Sequence, residues 1–320
     1  MPPPRCWQSS AVTDRGHSDG GHSDGGHSDR GHGGGALSGN TLGALFMCAS
    51  MFLFAVEDAL FKSVAPALPP GEATLIFGIT ATALYIVVTL RAREPLLHPA
   101  ILRPTLIART SFEIVGRLFF ALALAYTPLS VTSSILQAAP LVVTAGAALL
   151  LKERVGPARW TAMAVGFVGV LLILRPTPEA FRIDALLAVA GMVGFAMRDL
   201  FTRASPPAVS ANQLGVIGCS VIIVAGLVML PFDPAPLREP RAGELVRLVL
   251  TGLVGATGYF ALTKAMRAGD VSVIAPFRYS RLLVALGFAF VFFGERPDLW
   301  TLAGGLLIVT SGIYTLIRSR

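Results

Sequence analysis

The chain has 320 residues, of which 53% are apolar and 14% charged, against roughly 25% charged in an ordinary soluble domain. A mean hydropathy of +0.67 over that length excludes a water-soluble globule and leaves room for many spans, since one membrane helix consumes about 20 apolar residues. The 26 basic and 19 acidic residues leave a net charge of +7, which in this class reports loops at a membrane surface and no nucleic-acid partner.

Residues 1–40 repeat Gly-His-Ser-Asp from Gly16, Gly21 and Gly26. Such a His/Gly/Ser/Asp-rich segment buries too little apolar surface to fold, and a disordered tail is expected. It lacks the basic start, apolar run and cleavage site of a secretory signal. Cys6, Cys48 and Cys219 form no paired framework, and His17, His22, His27, His32 and His98 lie in the tail or a loop, so the sequence asks for no metal and no cofactor.

Beyond the tail, apolar stretches separated by polar or Pro/Gly breaks predict ten helices, over 41–62, 72–90, 105–126, 131–151, 158–174, 184–203, 212–230, 245–267, 271–293 and 299–317. Lys and Arg outside them divide thirteen to six in favour of the face that carries both termini. That bias predicts cytoplasmic termini and a multi-pass protein of the inner membrane. The chain also repeats at an offset of 140: Phe120-Ala121-Leu122 returns as Phe260-Ala261-Leu262, Pro157 as Pro297, and Trp160-Thr161 as Trp300-Thr301. Glu153-Arg154 and Glu295-Arg296 correspond if a two-residue shift is allowed. The expected fold is therefore an all-α polytopic membrane protein of two five-helix repeats, 41–175 and 182–318. Because five is odd, the repeats are inverted, as in secondary transporters whose site lies near the midplane.

Ionisable residues inside membrane spans are costly and mark functional hypotheses. Seven basic ones (Lys62, Arg109, Arg117, Arg198, Lys264, Arg278, Arg281) and four acidic ones (Glu57, Asp58, Glu113, Asp199) fall inside the predicted helices. Arg109, Glu113 and Arg117 share one helix face at i, i+4 and i+8, either as substrate contacts or as a structural ladder. Arg278 and Arg281, at i and i+3, also share a face. Asp199 is expected to pair with Arg278 or Arg281, or to carry a proton. Arg198 and Lys264 are near enough to a surface to snorkel, and Asp58 is expected to pair with Lys62 at i+4. Pro140 and Pro276 interrupt corresponding helices of the two halves, the sequence feature that best points to a transporter site. Ser134, Gln137 and Tyr279 near these breaks offer neutral hydrogen bonds. The aromatics Phe119, Phe120, Tyr126, Tyr259, Phe277 and Tyr279 offer stacking surfaces, or only packing.

The stretch from Pro140 to Gly169 resembles the repeat of the EamA family in the drug/metabolite transporter superfamily. The resemblance rests on Pro140 followed thirteen residues later by Glu153 of Lys152-Glu153-Arg154, on Pro157-Ala158-Arg159-Trp160, and on Gly166 and Gly169. Thirteen residues before Glu295 stands Leu282, where the first half has its proline. The resemblance spans about residues 41–318 and implies a carrier of a small metabolite; members resembling this chain carry amino acids, nucleoside-like metabolites, S-adenosylmethionine or riboflavin.

Competing classes fit less well. A membrane-embedded transferase needs clustered aspartates for Mg²⁺, a nucleotide-driven pump needs a Gly-rich loop ending in Lys-Ser or Lys-Thr, and a channel needs a filter or a charged ring. The expectation is a secondary carrier, not an enzyme, working as a monomer in the lipid bilayer on an anionic or zwitterionic metabolite. A neutral aromatic or nucleoside-like substrate is the alternative. Arg117, Arg278 and Arg281 would attract the anionic group, while Glu113 and Asp199 would balance charge or carry a coupled proton.

Overall fold

The computed structural model describes residues 38–64, 67–126, 135–175, 185–233, 236–293 and 298–318. The N-terminal repeats of residues 1–37, Ser134 and the Glu295-Arg296-Pro297 segment lie outside the described residues, as does the side chain of Lys62. Every regular element among the described residues is helical. The first half supplies α1 (Gly39–Val64), α2 (Pro70–Arg91), α3 (Pro104–Tyr126), α4 (Ala139–Leu150) and α5 (Pro157–Leu174). The second supplies α6 (Ala185–Arg203), α7 (Ala211–Met229), α8 (Ala242–Ala268), α9 (Ser280–Phe293) and α10 (Leu299–Arg318). Among the described residues, seven helical stretches are long and apolar enough to cross a membrane. The helices α3 and α6 are of comparable length, but their hydropathy is interrupted by Arg109, Glu113 and Arg117, and by Arg198, Asp199 and Arg203.

The helix ends follow from local chemistry. Prolines open α2, α3 and α5, where a missing N–H costs nothing. Ser210 and Gln213 cap α7 reciprocally, at 3.1 and 3.0 Å. The α2 N-terminus is capped from the other half of the chain, by the Asp233 carboxylate on the Gly71 N–H at 2.9 Å.

Two of the predicted helices are broken. In the stretch expected as 131–151, Gln137 and Ala138 form a turn and α4 begins only at Ala139, one residue before Pro140, because Pro140 has no N–H to continue a helix from Leu136 and is tolerated only in a first turn. The stretch expected as 271–293 is a single α-turn, Val271–Ile274, then a 3₁₀ segment, Ala275–Tyr279, around Pro276, and only then α9. Both prolines therefore act as helix breaks.

The most extensive helix contacts exchange under a shift of five. The pair α1–α8 is matched by α6–α3, α2–α8 by α7–α3, and α1–α9 by α6–α4, while α2–α7 and α5–α10 map onto themselves. Small residues allow the close crossings, as helix packing in membranes requires. A Cβ at Gly194 of α6 would meet the Gly116 backbone N of α3 at 2.6 Å, and one at Gly169 of α5 would meet the Gly304 carbonyl of α10 at 2.6 Å. Large apolar side chains such as Leu149, Leu186, Leu253 and Leu306 face outward, as lipid contact demands.

One end of the bundle, here called the first face, is stapled across the halves. Glu153, in the loop after α4, accepts the Val271 and Ser272 N–H groups at 3.1 and 3.2 Å, capping the start of the broken ninth helix. Arg159 of α5 donates to Ser272 at 2.8 Å and to Asp270 at 3.3 Å, and Asn40 of α1 accepts the Asp270 N–H at 2.8 Å.

Candidate functional site

Inward of the first face, five ionisable side chains from three helical segments form one buried cluster. Arg109 and Glu113, one turn apart on α3, are 1% and 0% exposed and pair at 3.3 Å. Arg198 of α6 reaches Glu113 at 3.2 Å and pairs with its own neighbour Asp199 at 2.8 Å. The other Asp199 oxygen accepts from Arg278, in the 3₁₀ segment. Tyr259 of α8 donates to both Glu113 oxygens at 2.9 Å and accepts from Arg109, whose Nε donates to Thr202 at 3.0 Å. Thr202 in turn donates to the Arg198 carbonyl at 2.9 Å. Ionic groups so deeply buried are tolerable only when paired and hydrogen-bonded. Arg109 lies five residues into α3 and Asp199 four from the end of α6, so at 1.5 Å per residue the cluster begins on the order of 7 Å from the first face. It forms a dry floor across that half of the bundle.

Arg198 was expected to snorkel; it is buried instead, with its guanidinium 5.4 Å from the Phe195 ring and 5.6 Å from the Tyr259 ring. Asp199 takes Arg278, one of the two partners expected for it. Lys264 is exposed, 5.4 Å from the Phe260 ring.

Beyond the floor, toward the second face, the charged groups become accessible. Arg281 of α9 donates to Asp58 of α1 at 3.0 Å and lies 5.6 Å from the Phe54 ring. Asp58 thus makes a bond between the halves, while the side chain of Lys62, its expected partner at i+4, lies outside the described residues. The Arg281 and Asp58 side chains keep 38% and 57% exposure. The accessible region around this pair, between α1 and α9, is termed the cleft. Arg117 stands on α3, 13 residues from its start and so about 20 Å along the helix, close to mid-membrane. Its guanidinium is 5.9 Å from the Phe195 ring, and among the described residues it has no ion-pair partner and its Nε no hydrogen bond. Phe195 packs edge-on against Phe120 at 5.9 Å. Gln137 is half-buried in the turn ahead of Pro140.

Tyr279 does not join the arginines. It is fully buried against Val170 of α5 and Ile308 of α10, because the 3₁₀ geometry turns it away from Arg278. Tyr259 and Thr202 of the floor were not singled out as its members by the sequence reading, although Tyr259 follows Gly252, Gly255 and Gly258, the small residues that bring α8 closest to α1 and α2. Glu57, unplaced by that reading, stands beside Asp58 on α1 with its carboxylate against Gly255 of α8.

An all-helical membrane bundle in two equivalent halves, with charged residues gathered between them, is the architecture of a membrane transporter. The sequence profile of the EamA-like transporter family matches residues 41–175 and 183–317, and the chain belongs to that family. It is similar to the S-adenosylmethionine uptake transporter of Rickettsia conorii, 28% identical over 232 residues covering 72% of this chain and 75% of the relative. It is likewise similar to the riboflavin transporter of Vibrio cholerae, 28% identical over 287 residues, 84% of this chain and 91% of the relative. The pseudopaline exporter CntI of Pseudomonas aeruginosa is 27% identical over 283 residues, 85% of this chain and 94% of the relative. A solved crystal structure shares the fold with a TM-score of 0.74 at 19% identity, covering 86% of this chain and 96% of that one. The protein is a multi-pass membrane transporter and not an enzyme.

Proposed function

We propose that this chain carries a small metabolite with an anionic group, itself an anion or a zwitterion, across the inner membrane by alternating access. The observation that carries the reading is Arg117, a half-buried cation near mid-membrane with no ion pair within 4.0 Å among the described residues and an unbonded Nε. An intramembrane charge left without a counter-ion is expensive, and a guanidinium matches a carboxylate bidentately. Arg281, part-exposed on α9, and Gln137, in the turn ahead of Pro140, are the further polar candidates. Arg278, Glu113 and Asp199 belong to the floor, where the two acids balance the arginines; a proton carried by either acid is the coupling route to test. Ser134, next to the Gln137 turn in sequence, stays a candidate hydrogen-bond partner, and Tyr279 a support behind the 3₁₀ segment.

The floor and the Glu153 staple support a state closed at the first face and open at the second. With the Lys/Arg bias placing the first face in the cytoplasm, this state faces outward. Rocking of the halves would part the floor and close the opposite side. The unit of function is the monomer, with the 41–175 and 182–318 repeats as its two moving bodies. A second reading, a neutral aromatic substrate, is favoured by the Phe120–Phe195 pair. The relatives named for S-adenosylmethionine and riboflavin bracket the two readings.

The test is transport in proteoliposomes, screened across amino acids, nucleosides, flavins and organic anions. Arg117→Gln and Arg281→Gln are expected to cut the rate by at least tenfold with expression unchanged. Wild-type rates in both variants would refute the site.

A further inference from the structure

The connection from α2 to α3, on the first face, is held from one side only. Its inner side is pinned to the start of α7: the Ser210 hydroxyl donates to the Glu94 carboxylate, Gln213 Nε2 donates to the Pro95 carbonyl at 2.9 Å, and Ala100 packs with Leu106, Val209 and Leu214. Backbone bonds order the rest, from the Ile101 N–H to the His98 carbonyl and from the Arg103 N–H to the Ala100 carbonyl, both at 2.9 Å. On the outer side Leu97 and Leu102 are 57% and 78% exposed. Arg91, Arg93 and Arg103 are exposed there too, with no ion pair and no side-chain hydrogen bond among the described residues.

The backbone shows that Arg93 is more than a default surface residue. It follows the Ala92 cap of α2 at φ 57, in the left-handed slot that glycine usually fills at such a helix end. The Arg93 N–H on the Leu90 carbonyl at 3.0 Å and the Glu94 N–H on the Thr89 carbonyl at 3.1 Å complete the motif, so the turn asks for the slot and not for an arginine. Lys152, after α4 on the same face, holds a left-handed position at φ 55 and is likewise exposed and unpaired among the described residues. On the second face the corresponding cation, Arg175 at φ 44, is bonded to Asp298.

The 22 residues of α2 make a helix about 33 Å long, slightly more than a hydrocarbon core of about 30 Å, so α2 delivers this connection to the headgroup level. At that level exposed leucines reach the acyl boundary and unpaired guanidinium groups reach phosphate oxygens. The one acid of the connection, Glu94, is turned inward to Ser210, and nothing on the outer side answers the ammonium of a zwitterionic headgroup. We propose that the outer side of the α2–α3 connection is a binding surface for anionic phospholipid, with Leu97 and Leu102 in the acyl boundary and Arg91, Arg93 and Arg103 on the phosphate. Because Glu94 and Pro95 tie the same connection to α7, a bound headgroup steadies the first-face ends of one helix from each half.

The test is fluorescence quenching in vesicles of phosphatidylcholine with a minor fraction of phosphatidylglycerol, bromine being carried on the acyl chains of one lipid or of the other. The reporter is Leu102→Trp in a chain whose Trp7, Trp160 and Trp300 are replaced by Phe; a second chain that keeps Trp300 alone, at the start of α10 on the second face, gives the background. At position 102 phosphatidylglycerol is expected to associate at least threefold more strongly than phosphatidylcholine, and at Trp300 equally. Arg91→Gln, Arg93→Gln and Arg103→Gln together should bring the ratio at position 102 to one. Arg93→Gly removes a cation while relaxing the backbone, so it should lower the ratio with the unfolding midpoint unchanged or raised, a result that misfolding would not give. A ratio of one before any arginine is changed, a ratio untouched by the triple substitution, or the same preference at Trp300 overturns the proposal. So does a preference that inorganic phosphate abolishes, which would assign the cations to a soluble anion.

Discussion

Replacing Glu113 by Gln removes the acceptor shared by Arg109, Arg198 and Tyr259 in the floor. The substitution is nearly isosteric, so its effect is electrostatic. It leaves two guanidinium groups, 1% and 7% exposed, with Asp199 as the remaining acid of the cluster, and breaking a buried ion pair in this way costs about 3–5 kcal/mol. At about 2–3 °C per kcal/mol for a chain of this size, the unfolding midpoint should fall on the order of 10 °C. Cys219 is 1% exposed and free, so with Cys6 and Cys48 replaced by Ser a thiol-reactive fluorophore added to detergent-solubilised protein follows its exposure on heating. Asp58→Asn is the control. It breaks a pair whose partners are 38% and 57% exposed, for which about 0–1 kcal/mol and a shift under about 3 °C are expected. Equal shifts in the two variants would refute the division of the charged residues into a dry floor and a wet cleft.

Three further outcomes follow from the same geometry. Arg117→Gln should leave the midpoint within about 2 °C of wild type, since no ion pair among the described residues is lost, while abolishing transport; a large thermal shift would make Arg117 architectural. Gly194→Ala should destabilise by about 1–3 kcal/mol in the same assay, because its Cβ meets the α3 backbone at 2.6 Å, and an unchanged midpoint would mean that α3 and α6 are not in close contact. Glu153→Ala removes the cap on Val271 and Ser272, so the labelling rate of a cysteine introduced by Ser272→Cys, with a membrane-impermeant maleimide added at the first face, should rise several-fold; an unchanged rate would show that the staple does not hold that face shut.

The order of helices and the breaks at Pro140 and Pro276 were legible because hydropathy and proline act locally. So was the identity of the charged residues, since each stands out against an apolar background. Their partners were not legible. Glu113 meets Arg198 and Tyr259 across 85 and 146 residues, and no local periodicity fixes how α3, α6 and α8 are rotated against one another. Arg278 and Arg281 lie three apart and read as one face, yet they bind Asp199 and Asp58 respectively, because the chain changes from 3₁₀ to α geometry between them. The same change sends Tyr279 to the α5–α10 seam. Tyr259 was hidden for another reason: a tyrosine in a membrane helix reads as an ordinary aromatic until an acid is placed beside its hydroxyl.

The most direct test of the central claim compares ligand-induced thermal stabilisation in wild type and Arg117→Gln, using amino acids, nucleosides, flavins and organic anions. A ligand at about 100 times its Kd adds roughly 2.7 kcal/mol, a clear shift in the midpoint. The account predicts that a carboxylate-bearing ligand stabilises wild type and loses that effect in Arg117→Gln. Stabilisation by a neutral aromatic, equal in both proteins, would contradict it and move the site to Phe120 and Phe195.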